Sequence, residues 1–129
     1  MPITVADRLA IHELISLHGH LADDGRPEGI TDLMTVDGAY DVTDYGLGVV
    51  TGIDALVDLF RAAPGAQPRG HHVTNVIVTD LPGSDDSATV RSKGLSVMPD
   101  GSAGTVGYED EVVRTSDGWR ISRRTVVRR

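Results

Sequence analysis

The chain has 129 residues, a length typical of one domain with a single hydrophobic core over residues 1–129. Its net charge of −7 argues against nucleic acid or an anionic membrane as the main partner, and the absence of cysteine excludes disulfides and thiolate sites. No apolar run approaches the roughly 18 residues of a membrane span, and no signal peptide is recognisable, so we expect a cytoplasmic protein.

A long helix is predicted at the start of the chain. Thr4 and Asp7 have the spacing of a capping box, and good helix formers follow to about Asp24, where Gly25 and Pro27 stop the helix. Helical periodicity gives it an apolar stripe and an adjoining stripe of mostly small residues: Ile11, Leu14, Leu17 and Leu21, beside Ile15, Gly19 and Ala22.

Short elements are predicted in the middle of the chain. Residues 28–34 have the pattern of a second helix, Asp37-Gly38 that of a turn, and residues 39–42 that of a first strand. A glycine-rich turn with a strand piece follows over residues 44–51. A third helix is predicted over residues 52–63 and a loop over residues 64–70.

The second half of the chain has the two-residue period of β-strands. Strands are predicted over residues 71–79, 88–98, 105–114 and 119–127, with Trp119 and Ile121 in the core. Helices followed by an antiparallel meander predict an α+β fold, with the helices packed on one face of a curved sheet. Five arginines near the C-terminus are expected to be solvated edge or interface charges: Arg120, Arg123, Arg124, Arg128 and Arg129.

The segment 71–78 contains the strongest candidate for chemistry. Because strand side chains alternate, His71, Val73 and Asn75 are predicted to share one face and His72 to lie on the other, so the two adjacent histidines cannot readily share a metal ion. His71 then needs a partner from another element, and the first helix offers Asp23. No metal-site, phosphate-loop, dinucleotide-loop or nucleophile-elbow motif is present, so we expect neither a metal nor a cofactor.

Three pieces of the chain, in this order, carry a resemblance to a known family. They are Ala10-Ile11-His12-Glu13-Leu14 leading to Leu21-Ala22-Asp23; His71-x-x-Thr74-Asn75; and Gly107-Tyr108-Glu109-Asp110 followed by Asp117-Gly118-Trp119-Arg120-Ile121. The chain resembles the SnoaL-like branch of the nuclear transport factor 2-like superfamily, which includes polyketide cyclases, scytalone dehydratase, bile-acid dehydratase and hexachlorocyclohexane dehydrochlorinase.

The resemblance implies a cone-shaped α+β barrel, in which N-terminal helices close a strongly curved, mostly antiparallel sheet around a pocket. It also implies a homodimer formed through the outer surface of the sheet. In catalytic members an aspartate at the end of the first helix orients a histidine that acts as general base, and these positions fall on Asp23 and His71. The chain departs from the dehydratases at His18, where they carry tyrosine. It also has only small residues where several members carry an acid or a histidine: Ser92, Gly94 and Ser96.

A neutral imidazole in an apolar pocket can remove a proton from a carbon next to a carbonyl or a leaving group. His71 is the predicted base, Asp23 its orienting partner (with Asp24 as the alternative) and His18 the predicted proton donor or polarising group. A structural His–Asp pair and a satisfied core His18 remain the alternatives. Pocket contacts are expected from Tyr40, Tyr45, Asn75, Tyr108, Ile15, Ala22 and Val73, whereas His12, His20 and His72 are expected at the surface or in packing.

The function predicted from these residues and the resemblance is that of a cofactor-independent lyase or isomerase acting on an apolar, cyclic small molecule. The alternative is a non-catalytic protein that binds a hydrophobic small molecule in the same fold. Epoxide hydrolysis would need an Asp–Arg–Asp arrangement that the sequence does not locate.

Overall fold

The computed structural model describes residues 3–61 and 67–129. Its first part contains helix α1 (Val5–Asp23), a 3-10 helix (Pro27–Asp32), strand β1 (Met34–Asp41), a 3-10 turn (Thr43–Tyr45), strand β2 (Val49–Thr51) and helix α2 (Ile53–Arg61). The long strands follow: β3 (Gly70–Asp80), β4 (Ser87–Val97), β5 (Ala103–Thr115) and β6 (Gly118–Arg128). The predicted end of the third helix and the first part of the loop over residues 64–70 lie outside the described residues.

The strands form one six-stranded sheet in the order β2-β1-β6-β5-β4-β3. All neighbouring strands are antiparallel except β1 and β6, which run parallel. The predicted α+β class with a mostly antiparallel, curved sheet is confirmed. The sheet is not closed into a barrel, because β2 and β3 form its two edges and do not pair with each other.

Helix α1 packs against β3 and β6 and covers one face of the sheet. The predicted capping box is present: the Asp7 backbone N–H donates to Thr4 Oγ1 at 3.1 Å, and the Thr4 N–H donates to Asp7 Oδ2 at 3.0 Å. The helix buries one continuous face made by Ile11, Leu14, Ile15, His18 and Leu21. These side chains join the predicted core residues Trp119 and Ile121, which are both buried. Within the described residues, no helix is long and apolar enough to cross a membrane.

Two predicted elements between α1 and α2 are wrong in type or extent. The second helix is a short 3-10 helix that begins at Pro27, and Met34, its predicted last residue, is instead the first residue of β1. The predicted Asp37-Gly38 turn lies inside β1, where the register against β6 shifts between Met34 and Ala39. An irregularity of this kind lets a strand continue through residues that would otherwise indicate a turn.

β-bulges in β3 and β6 invert the alternation of inward and outward side chains. In β3 the register against β4 shifts between Thr74 and Ile77, and Asn75 adopts a positive φ of 57°. His71 and Val73 therefore face the interior before the bulge, whereas Val76 and Val78 do so after it. The prediction that Asn75 shares the face of His71 is wrong, because the bulge turns Asn75 outward.

The bulge in β6 changes the environment of an arginine. The register of β6 against β5 shifts by one residue between Ile121 and Arg123, so Arg124 faces the interior. Its side chain is only 1% exposed. The prediction of a solvated edge charge is wrong for Arg124, because β6 lies between β1 and β5 and is not an edge strand.

Candidate active site

The carboxylate of Asp23 holds His71 at two points. Asp23 is the last residue of α1, and its Oδ1 lies 2.7 Å from Nδ1 of His71, the second residue of β3. The backbone N–H of His71 also donates to Oδ1 at 3.1 Å and to Oδ2 at 3.0 Å. Asp24, the alternative partner, is the C-cap of α1, and its backbone N–H bonds to the last helical turn. The bond to the carboxylate fixes a proton on Nδ1, which leaves Nε2 as the basic nitrogen of a neutral His71.

Gly19 permits this close contact between α1 and β3. A Cβ atom at position 19 would lie 2.5 Å from the carbonyl oxygen of His71, well inside van der Waals contact. The helix and the strand therefore meet backbone to backbone one turn before Asp23. This approach brings the carboxylate within hydrogen-bonding distance of the start of β3.

His18 lies at the centre of a cluster of rings that faces His71. Its ring centroid is 5.3 Å from Phe60, 6.0 Å from His71, 6.1 Å from Tyr108 and 6.2 Å from Tyr40. The Tyr40 hydroxyl lies 3.4 Å from Nε2 of His18, at the long end of hydrogen-bonding distance. The site thus combines a neighbouring pair of imidazoles with two phenols.

Burial controls the protonation of this cluster. Desolvation, followed by the charge of Arg124 and the neighbouring His71, lowers the pKa of His18 well below 6.5. Desolvation also raises the pKa of the Tyr40 and Tyr108 phenols above 10.0. At neutral pH the His18 imidazole is therefore uncharged, and both phenols keep their protons and can donate hydrogen bonds.

A buried ion pair lies beneath the rings, formed by residues that the sequence analysis did not select. Arg124 donates from Nε to Oδ1 of Asp110 at 2.8 Å and from Nη2 to Oδ2 at 2.9 Å. The guanidinium carbon lies 4.0 Å from the centroid of the Tyr108 ring. The third nitrogen, Nη1, is buried without a well-aligned acceptor among the described residues, and the Tyr40 phenol lies close enough to interact with the guanidinium.

The predicted pocket is much smaller than expected. A cavity of about 10 Å³ is lined by Ile15, His18, Gly19, His71, His72, Val73, Tyr108 and Arg124, and a cavity of this size has room for roughly one water molecule. It brings together Ile15, Val73 and Tyr108 of the predicted contact residues, with Tyr40 beside His18. The cavity is small because the rings and Arg124 pack against one another and fill most of the interior.

Three predicted contact residues lie elsewhere. Ala22 lines a separate groove of about 310 Å³ together with Pro27 and Phe60, because it lies on the flank of α1. Tyr45 is exposed, and its ring lies 5.8 Å from the guanidinium carbon of Arg128. Asn75 lines an outer groove with Arg91 and other residues of the opposite face.

The described residues contain no group of three or more His, Cys, Asp or Glu side chains that could hold a metal ion. Chemistry by this chain's own side chains therefore rests on an imidazole held by a carboxylate, a neutral imidazole, two phenols and a guanidinium around one small cavity. Such a set can accept a proton at one point and donate hydrogen bonds at others.

Comparison with known proteins places the chain in a family. The family model of the SnoaL-like domain matches residues 4–125. No curated protein matches the chain. A crystal structure from Novosphingobium aromaticivorans, of a protein provisionally named an aromatic ring hydroxylase, is 31% identical with a TM-score of 0.80 and covers 96% of this chain and 90% of that one.

Two further structures from the same organism show the same fold. One is described as a nuclear transport factor 2-like protein with a cystatin-like fold; it is 29% identical with a TM-score of 0.80, over 95% of this chain and 82% of that one. The other is provisionally named a scytalone dehydratase, and is 22% identical with a TM-score of 0.76 over 95% of this chain and 83% of that one. The chain belongs to the SnoaL-like domain family of the nuclear transport factor 2-like superfamily.

Proposed function

We propose that this protein is a lyase or isomerase that acts on a cyclic small molecule, with His71 as general base and Asp23 as its orienting partner. The contact of 2.7 Å between Asp23 Oδ1 and His71 Nδ1 carries the proposal. It fixes the tautomer in which Nε2 is basic, and His71 lines a cavity that it shares with His18 and Tyr108.

The reaction begins when Nε2 of His71 takes a proton from a carbon next to a carbonyl or a leaving group. The electrons of the C–H bond form a new double bond. Either the carbonyl π electrons then move to oxygen and give an enolate, or the leaving group departs with the electron pair of its own bond to carbon. The Asp23 carboxylate stabilises the imidazolium that forms. The proton then returns to another carbon in an isomerisation, or leaves with the departing group in an elimination.

His18 and the phenols are the proposed polar groups on the other side of the substrate. Because the pKa of His18 is lowered by burial, its neutral imidazole can donate a hydrogen bond from one ring nitrogen without adding a second positive charge beside the imidazolium of His71. Tyr40 and Tyr108 remain protonated, because burial raises the pKa of each, and can donate to a substrate oxygen. This arrangement favours a substrate that carries at least one oxygen.

Two kinds of comparison support the reaction class. Membership of the SnoaL-like family is the first, and the similarity in fold to a protein named for a dehydratase is the second. The relative named for ring hydroxylation points to an aromatic ring in the substrate of that protein. This likeness, at 31% identity, supports a cyclic substrate for the present chain.

Deuterium exchange tests the proposed proton transfer without knowledge of the natural substrate. The protein is incubated in heavy water with a panel of cyclic ketones, and mass spectrometry follows the incorporation of deuterium next to the carbonyl. We expect exchange with the wild type and a loss of about 10²- to 10⁴-fold for His71→Gln. His12→Gln is the matched control, because this histidine of α1 is exposed and does not line the cavity. Equal exchange rates in the wild type and His71→Gln would refute the assignment.

The second candidate function is non-catalytic binding of a hydrophobic small molecule. A groove of about 310 Å³ is compatible with it, because this volume lies at the lower end of the range of ligand pockets; its walls combine the apolar Pro27 and Phe60 with the charged Glu28 and Arg61. Native mass spectrometry of the purified protein would reveal a retained small molecule. A retained ligand together with no proton exchange would favour binding over catalysis.

We also propose that two copies of the chain associate through the outer face of the sheet. Ile77 is 58% exposed and Leu95 39% exposed on this face, and the opposite charges of Arg91 and Glu109 lie on paired strands beside Ile77. Apolar groups flanked by paired charges are suited to a self-complementary interface.

Native mass spectrometry should show a dimer that Ile77→Asp converts to monomer. Leu47→Asp, which changes a 61% exposed residue elsewhere, should leave it intact; a monomeric wild type would end this proposal.

A further inference from the structure

The aromatic ring of Phe60 lies between the ring cluster and a groove at the surface. Its centroid is 5.3 Å from that of His18 and 5.6 Å from that of Tyr40, and both contacts are edge to face. The same side chain lines the groove of about 310 Å³ together with Ala22 and Pro27. Phe60 therefore borders the ring cluster on one side and the groove on the other.

The cavity beside His71 is too small for a ring. Its volume is about 10 Å³, whereas an apolar cavity of roughly 150 Å³ is one that binds benzene. A cyclic molecule can therefore reach His71 only if a side chain of the site moves. The groove on the far side of Phe60 has space for one ring.

The other walls of the site are held by the backbone. Gly19 and His71 meet backbone to backbone, and Asp23 accepts from the backbone N–H of His71, so the seam between α1 and β3 is closed. Tyr108 also borders a groove, that of the outer face, but it belongs to β5, which is paired with a strand on each side. Opening either wall would lift the helix from the sheet or separate paired strands.

Phe60 is positioned to move without such a disruption. It lies in the last turn of α2, a helix of nine residues in which only Leu56 is fully buried. The Phe60 side chain is half-buried and packs against the edge of the core. Displacement of this ring toward the groove breaks no strand pairing and leaves the contact between Asp23 and His71 in place.

We propose that Phe60 is a movable partition: its ring occupies the space beside His18 that the ring of a bound molecule takes, and binding moves it into the groove. This inference rests on the function proposed for His71 and adds the route by which a molecule reaches that residue. The molecule arrives over Ala22 and Pro27 and comes to rest against His18. The His71 ring is then close by, because its centroid lies 6.0 Å from that of His18.

The exchange replaces one ring by another in similar surroundings. A bound ring would make the edge contacts with His18 and Tyr40 that Phe60 makes in the structure, and such contacts are favourable for aromatic rings. The displaced Phe60 ring keeps apolar neighbours, because Ala22 and Pro27 are half-buried walls of the groove. These replacements limit the free energy that the displacement requires.

Nuclear Overhauser spectra of the wild type test the displacement without turnover. Phe60 is the only phenylalanine of the chain, so ring-labelled phenylalanine reports on this side chain alone. Benzene is the probe, because it has the size of the displaced ring and offers His71 no acidic proton. We expect benzene to contact the His18 ring protons, and the contact between Phe60 and His18 to weaken as benzene binds.

Two results of this experiment would overturn the proposal. One is benzene that contacts Ala22 and Pro27 alone while the contact between Phe60 and His18 stays intact, since the groove would then bind a ring without communicating with the site. The other is benzene that does not bind at all up to its limit of solubility.

A smaller side chain at position 60 should make the site easier to reach. A binding-competent state that is populated at about 10% or less lowers the apparent affinity by the same fraction. Phe60→Leu should therefore speed deuterium exchange at low concentrations of a cyclic ketone by about 10-fold or more, and the pH profile of the exchange, which reports the base, should stay unchanged.

Leu59→Val is the matched control, because this neighbour in the same turn does not line the groove, and its exchange rate should equal that of the wild type. Slower exchange in Phe60→Leu would mean that the ring only supports the packing of the site, and would overturn the proposal. If Phe60→Leu does not fold, the spectra of the wild type decide.

The partition and the proposed catalysis fail separately. Benzene contacts with His18 in a protein that exchanges no deuterium would contradict the catalysis and support the partition. Exchange of a cyclic ketone, with the contact between Phe60 and His18 undisturbed in the same sample, would contradict the partition and support the catalysis.

Discussion

His18, the buried histidine of the ring cluster, makes the free energy of unfolding depend on pH. Its pKa is lowered because burial disfavours the imidazolium and because Arg124 and His71 lie nearby. In the unfolded chain the same imidazole takes up a proton near its ordinary pKa of 6.5. Below that value the unfolded state binds more protons at this position than the folded state, so the free energy of unfolding falls as the pH falls.

Replacing His18 by methionine should reduce this pH dependence. In the wild type the contribution of His18 to the free energy of unfolding is complete above about pH 6.5 and decreases below it by up to about 1.4 kcal/mol per pH unit. Urea unfolding between about pH 7.5 and about pH 5 measures the slope. His18→Met should show a shallower slope, whereas the exposed His72→Gln should retain the slope of the wild type. Identical slopes in the wild type and His18→Met would contradict the assignment.

The bulges in β3 and β6 determine which side chains reach the site. In β6 strict alternation from Trp119 and Ile121 would point Arg123 and Thr125 inward, but the extra residue at Ser122 points Arg124 and Val126 inward instead. In β3 the equivalent shift turns Asn75 outward. Each bulge acts as a one-residue change of register for everything that follows it in the strand.

Substitution at Asn75 should distinguish the backbone of the bulge from its side chain. The φ of 57° is accessible to glycine and tolerated by asparagine. A residue such as alanine, which has a Cβ atom but no polar side-chain group, is strained there by roughly 1–2 kcal/mol. Asn75→Ala should therefore lower the free energy of unfolding by about 1 kcal/mol, while Asn75→Gly should be nearly neutral. Chemical denaturation measures both, with Thr74→Ala as the exposed neighbour control. An equal loss in the alanine and glycine variants would indicate that the side chain, not the backbone, matters.

The same bulges limit what the sequence can predict. Helical and strand periodicity located α1 and the four long strands, because in regular elements the side chains that face water and those that face the core recur at fixed intervals. The motif around His71 and the predicted end of the first helix indicated His71 and Asp23, and the structure brings these two residues into contact. Neither Arg124 nor Asp110 could be found in the same way. The extra residue that turns Arg124 inward has no recognisable sequence pattern, and Asp110 cannot be told from its neighbours along β5 because both are also acidic.

At the scale of the whole molecule, α1 is attached to the sheet along its length. Near its start, Asp7 accepts from Arg114 at 2.9 and 3.0 Å and from the Trp119 indole at 3.2 Å. Arg8 donates to the Val78 carbonyl oxygen at 2.9 Å and also bonds to Asp80. At its end, Asp23 holds His71. These contacts join residues far apart in sequence, so the position of α1 on the sheet is defined at both ends.

Asp7→Asn should weaken the attachment at the N-terminal end in a pH-dependent way. Hydrogen bonds from Arg114 and Thr4 hold the pKa of Asp7 well below 3.8, so its contribution to stability is present above that value and is lost as the pH falls further. The melting temperature of Asp7→Asn should lie below that of the wild type at neutral pH, and the difference should shrink in strong acid. Glu13→Gln, an exposed change on the same helix, serves as the control. A difference that is independent of pH would show that the lost bonds are not those of the carboxylate.

Gly19 has a further consequence for how this fold can vary. Alanine would make α1 intrinsically more stable by roughly 0.5–1 kcal/mol, since glycine is a poor helix former. Its methyl group would nevertheless lie 2.5 Å from the His71 carbonyl oxygen, so the last turns of the helix would have to lift away from the strand. A change that improves the helix in isolation would therefore separate the carboxylate from the imidazole, and the spacing on which the proposed proton transfer depends is maintained by the absence of one methyl group.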